Sequence, residues 1–198
     1  AYGIDDYLFT LLNQPVCSEL EALHVEDRGG SWGTEPTGGP GINFATLKSL
    51  CLEGVSFGRF AHCQFPNLIS LQSYHNLKTI LERKWPKLQC LNVSFDNLAD
   101  LTTFAQSDCC PNLTTLTLAV GYYSEPTRTD FSFLAKCPHM PFLSLIQIPS
   151  YRHPQTFIVA DGELVPVRSD VMLDQQIPTT SYRISVAFES TVINPHLY

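Results

Sequence analysis

Basic residues are scarce: 12 Lys and Arg stand against 19 Asp and Glu, leaving a net charge of −7. That balance argues against a nucleic-acid partner, because neutralising phosphates takes a basic stripe. Beyond Glu82-Arg83-Lys84, which reads as a solvated helix end, the sequence has no basic cluster. No apolar run approaches the roughly 20 residues of a membrane span, and no charged-then-apolar leader opens the chain. The chain begins at Ala1 instead of Met, as expected of a processed or excised piece.

Chemistry-bearing motifs are missing as well. There is no P-loop, no G-x-G-x-x-G after a strand and no H-E-x-x-H. His62-Cys63, Cys109-Cys110 and Cys137-Pro-His139 supply ligand-type residues, but none has the C-x₂₋₄-C pairing of a structural zinc site. No cofactor and no metal are expected. The seven cysteines are odd in number and scattered, unlike the framework of a disulfide-stapled miniprotein. They point to a reducing, cytoplasmic setting. The alternative is a secreted chain, for which the sequons Asn92-Val-Ser94 and Asn112-Leu-Thr114 speak weakly. Of the adjacent pair, Cys110 is expected inside and Cys109 outside.

What is present is a repeat. Leu113-Thr-Thr-Leu116-Thr-Leu118 is an L-x-x-L-x-L string, and related strings start at 20, 47, 68, 88 and 140. The steps are 27, 21, 20, 25 and 27 residues, within the roughly 20–29 residues of leucine-rich repeats. Period-two alternation in the second half of each string puts its leucines on one face of a strand. An aromatic or Cys, often followed by Pro, stands three residues ahead: Phe65-Pro-Asn-Leu68, Trp85-Pro-Lys-Leu88, Cys110-Pro-Asn-Leu113, Cys137-Pro-His-Met140.

Over about residues 17–149 this resembles the leucine-rich-repeat superfamily, and more narrowly the cysteine-containing repeats of F-box-type adaptor proteins. No F-box segment stands before the repeats, and the second cysteine of that subclass is not kept. The resemblance therefore carries the fold further than any ubiquitin-ligase role. It implies an α/β chain, a right-handed solenoid of about six irregular repeats with parallel strands on the concave face. Residues 1–149 would form the solenoid, entered by an amphipathic helix on Ile4, Tyr7, Leu8, Leu11 and Leu12 that Pro15 stops.

The returns between strands vary. Gly29–Gly41 is too rich in Gly and Pro for a helix, and its Trp32 is expected to lie back on the convex surface. Helical returns are expected at 77–84, 96–105 and 131–136, and an irregular one through Val55, Phe57 and Phe60. Residues 150–198 lack the repeat. Thr156–Val167 around Asp161-Gly162 is a hairpin signal, and Tyr182–Phe188 alternates as a strand. Together they are expected to form a β-rich cap on the last repeat.

In this register the residue between the last two inward leucines points to the concave face, giving His24, Cys51, Gln72, Asn92, Thr117 and Ser144. Glu26, Glu53 and Tyr74 flank the column toward one end, Phe142 and Ile146 toward the other. A surface acidic at one end and apolar at the other suits a protein or peptide ligand. The expected partner-binding residues are therefore His24, Glu26, Glu53, Gln72, Tyr74, Asn92, Thr117, Phe142, Ser144 and Ile146. His24 and Cys51 fall on neighbouring strands ~4.8 Å apart, but nucleophilic catalysis needs a third, orienting group, and none is visible. The expected function is a non-catalytic adaptor or substrate-recognition scaffold. Alternatives are a secreted or cell-surface recognition protein and a scaffold subunit of a larger enzyme.

Overall fold

In a computed structural model the chain is an α/β protein built on one open, mostly parallel sheet with few helices. The structure describes residues 4–27, 41–73, 77–95, 97–120, 131–148, 155–167 and 183–188. The Gly-rich loop with Trp32, the position of Tyr74 and the stretch 121–130 lie outside them.

Helix α1 (Ile4–Leu12) buries Leu8, Phe9 and Leu12. Strands β1 (Ala22–Asp27), β2 (Ser49–Glu53), β3 (Ser70–Ser73), β4 (Cys90–Phe95), β5 (Thr115–Val120) and β6 (Leu145–Ile148) pair in parallel, each with its neighbour in sequence. Helices α2 (Leu77–Leu81) and α3 (Leu98–Gln106) follow β3 and β4. Short 3-10 turns at Phe57–Phe60 and Ser132–Lys136 serve other returns. Asn97 caps α3 by accepting the Asp100 N–H at 2.8 Å, so Leu101, Phe104 and Ala105 turn inward while Leu98 stays exposed.

The same turn stands before each of the six strands β1–β6. The amides of Leu20, Leu47, Leu68, Leu88, Leu113 and Met140 donate to the carbonyls of Cys17, Phe44, Phe65, Trp85, Cys110 and Cys137 at 3.2–3.4 Å. Pro66, Pro86, Pro111 and Pro138 sit second in their turns, where a fixed φ is already correct. Side chains tie one turn to the previous one. Thr46 Oγ1 donates to Ser18 O at 2.8 Å, Asn67 Nδ2 to Ala45 O at 2.6 Å and Asn112 Nδ2 to Pro86 O at 2.6 Å.

Behind the sheet the leucines form one continuous core, from Leu20, Leu23 and Val25 through Leu113, Leu116 and Leu118 to Ile146 and Ile148. Aromatics fill its wider part. Phe44 stacks on Phe65 at 5.3 Å, Phe57 meets Trp85 edge-on at 5.5 Å, and Phe9 of α1 reaches Phe60 at 5.5 Å.

The sixth strand departs from the expected register. Residues 140–145 were expected to continue the turn straight into a strand, with Leu143 beside Leu116. Instead Leu116 pairs with Ile146 and Thr117 with Gln147. The cause is Pro141. At each rung the residue after the turn donates its amide to the preceding strand, as Lys48 does to Glu21 O and Thr114 to Gln89 O, both at 2.8 Å. Proline has no N–H to give. The chain makes a further turn, with Leu143 N–H donating to Met140 O at 3.1 Å, and Ser144 takes the rung on Thr114 O at 2.9 Å. Three residues are thereby inserted before β6.

The hairpin forms as expected: β7 (Gln155–Ala160) and β8 (Glu163–Val167) run antiparallel beside β6, joined by Asp161-Gly162 with φ of 53° and 75°. Those positive values are what a type I′ turn requires of both central residues. Pro166 is tolerated because β8 is an edge strand. The last strand does not join this cap. β9 (Arg183–Phe188) pairs in parallel with β1, at the opposite edge of the nine-stranded sheet.

Candidate binding face

Strands β2 and β4 alternate strictly between buried and half-buried residues, so the sheet has one core face and one outward face. Across the outward face, register aligns His24, Cys51, Gln72, Asn92, Thr117 and Gln147 in one row. Five of these were expected from the sequence; Gln147 takes the place given to Ser144. Thr117 Oγ1 donates to Gln147 Oε1 at 3.2 Å, joining the last two members. Glu26 and Glu53 pair side by side at the β1–β2 end.

The three-residue insertion removes the other expected members. Ile146 is fully buried, at 0% exposure, in the core beside Leu116. Ser144 lies at the edge where strands begin, its Oγ donating to Thr114 O at 3.2 Å. Phe142, 59% exposed, stands before β6 and lines a groove of about 400 Å³ with Ile69, Pro86, Lys87, Gln89, Asn112 and Thr114. An adjoining groove of about 380 Å³ shares Ile69 and Lys87 and carries the Lys48–Glu21 ion pair at 2.7 Å. Reading the sequence for outward columns alone missed this edge. Its signal was the residue after each first leucine: Glu21, Lys48, Ile69, Gln89 and Thr114.

An apolar end of the face exists nonetheless, made by other residues. Leu145, Ile158 and Val165 are cross-strand neighbours on β6, β7 and β8, and Ile158 and Val165 are exposed. The face therefore grades from carboxylates at β1–β2 to aliphatic side chains at β7–β8.

Two thiols face outward, Cys51 and Cys90, both half-buried. Burial pushes the Cys90 thiol up from its ordinary value, with a hydrogen bond to Thr115 acting against the shift. His24 Nε2 lies 3.4 Å from Glu53 Oε1, and Cys51 Sγ lies 3.6 Å from the same oxygen. The sequence reading brought His24 and Cys51 together and took Glu53, two residues along β2 on the same face, only as part of the acidic end.

Inside, Cys109 and Cys110 are both buried, which corrects the expectation that Cys109 is exposed. Cys109 O accepts the Trp85 N–H at 2.7 Å, drawing this segment beneath the turn that opens β4. The two sulfurs share a hydrogen bond at 3.6 Å. That bond, with one to Ser107, holds the Cys109 thiol down at about 7 while the Cys110 thiol is pushed well up.

The sequon asparagines lie in the turn before β5 and on the outward row. Asn112 spends its side-chain nitrogen on Pro86 O, and Asn92 sits mid-row with its Oδ1 buried. No helix among the described residues is long and apolar enough to cross a membrane. No family model, no curated protein and no solved structure matches the chain.

Proposed function

We propose that this chain is a leucine-rich-repeat solenoid of the cysteine-containing kind and that it acts as a non-catalytic protein-interaction module, an adaptor or recognition scaffold. The observation that carries the proposal is the in-register outward face of β1–β8. Its rows are polar in the middle, acidic at one end and aliphatic at the other. Such a face complements a protein or peptide segment with a basic end and an apolar end. The repeat of turn and strand, with buried Cys17, Cys110 and Cys137 at one turn position, supports the subclass. A reducing, cytoplasmic setting fits the seven free thiols and the structural use of the Asn112 side chain.

The test is affinity capture with the whole chain beside two face variants, Gln72→Arg, and Ile158→Lys with Val165→Asp, whose opposite charges face one another across β7 and β8. These positions are half-buried or exposed, and substitutions at such sites shift stability by about 0.5 kcal/mol or less. Partners captured by the parent and lost by either variant at unchanged melting temperature support the reading. Identical capture by all three chains moves binding off this face.

A further inference from the structure

We propose that His24, Cys51 and Glu53 form a binding site for a zinc-class divalent cation at the acidic end of the outward face. The three side chains offer one nitrogen, one sulfur and one oxygen, and these atoms all lie within 4.8 Å of one another. Two of the separations are 3.4 Å and 3.6 Å. A tetrahedral zinc ion with bonds of roughly 2.0–2.3 Å sets its ligand atoms about 3.3–3.8 Å apart. Those two separations match, and the third, His24 to Cys51, lies within 4.8 Å and would close onto the same ion by an adjustment of about 1 Å or less.

The scaffold sets that spacing. Parallel register places His24 directly opposite Cys51 on β1 and β2. Two residues along β2, Glu53 returns to the same face. Glu26 stands opposite Glu53. Two carboxylates directly across a strand pair repel one another, and a cation seated beside them offsets that repulsion.

Ligand chemistry selects the class of ion. A thiolate with an imidazole favours zinc and its borderline-soft neighbours over magnesium or calcium, which prefer all-oxygen sets. Three protein ligands leave a fourth position open. The three side chains are half-buried, and water would fill that position. The site does not depend on the partner-binding reading.

The experiment titrates the whole chain, reduced and stripped of metal, with Co²⁺ and then Zn²⁺. A 1:1 near-ultraviolet thiolate-to-cobalt charge-transfer band, displaced by Zn²⁺, is expected. Cys51→Ser should abolish it. Glu53→Gln and His24→Gln should each weaken the affinity at least about ten-fold, the lower bound for even an outer-shell partner. Cys90→Ser, a half-buried thiol on the same face two strands away, should leave the band unchanged. Circular dichroism checks that each variant is folded, and Glu53→Gln leaves the thiol in place if Cys51→Ser is not. No band in the parent, or a band that survives Cys51→Ser, overturns the site.

Discussion

Ser144 occupies on Thr114 the hydrogen-bonding place that Pro141 is unable to fill, its amide reaching Thr114 O at 2.9 Å. That single bond moves β6 three residues along the chain. It turns Ile146 from a surface residue into a core residue and replaces Ser144 by Gln147 in the outward row.

The register makes a paired prediction. Ile146→Asp buries a carboxylate against Leu116 and should destabilise the fold by more than about 3 kcal/mol. Ser144→Asp, at an exposed position, loses only the side-chain bond to Thr114 O and should cost about 1 kcal/mol. Denaturant melts of the two variants decide it, and the reverse order would restore the uninterrupted string starting at Met140.

The side-chain ties between turns are separately testable. Asn112→Ala removes the bond to Pro86 O and Asn67→Ala the one to Ala45 O. Each should lower stability by about 1 kcal/mol. Asn67 also accepts from Lys87, which follows Pro86 in the chain, so a double variant departing from the sum of the singles reports coupling between the two ties. Denaturant midpoints at unchanged slope provide the readout. A neutral Asn112→Ala would mean that the bond to Pro86 O contributes nothing to the fold.

Most of the sheet was legible because local rules agree with one another there. Leucine alternation, a proline in the turn and the Asp161-Gly162 hairpin each specify local geometry. The sixth register was not, since Met140 and Leu143 both suit an inward position and only the missing N–H of Pro141 separates them. Nor was β9 beside β1, because pairing between chain ends leaves no local trace. In the metal site, His24 and Cys51 followed from the period. Glu53 was read only as a charge on the face, because its approach to both depends on a rotamer.

The aromatic centre sets a further expectation. Phe57 is buried, edge-on to Trp85 at 5.5 Å and tilted against Phe65 at 6.1 Å, with the Arg83 guanidinium 5.8 Å above its ring. Arg83 also donates to Cys63 O at 2.7 Å. Phe57→Ala should cost about 3–5 kcal/mol, and Phe57→Leu less, because it refills most of the volume but loses the ring contacts. Equal losses in calorimetry would mean that the rings act only as volume.

The vicinal thiols give stability a defined pH dependence. In the folded chain the Cys109–Cys110 pair gives up its first proton near 7, against 9.0 for an ordinary thiol. Just above pH 7 the unfolded chain therefore binds more protons, and stability rises with pH. Before pH 9 is reached the sign reverses. The unfolded chain loses its thiol protons, while the folded one retains that of Cys110, and burial holds Cys137 up at about 11 and raises Cys63 and Cys90. Unfolding free energy should peak between pH 8 and 9 and fall on both sides. Cys109→Ser should remove the rise above 7 but leave the alkaline fall. In parallel, thiolate absorbance should show a titration near 7 in the parent and none in that variant. A flat stability profile from 7 to 8 in the parent, or a titration near 7 that survives Cys109→Ser, would place the low-lying proton elsewhere than on this pair.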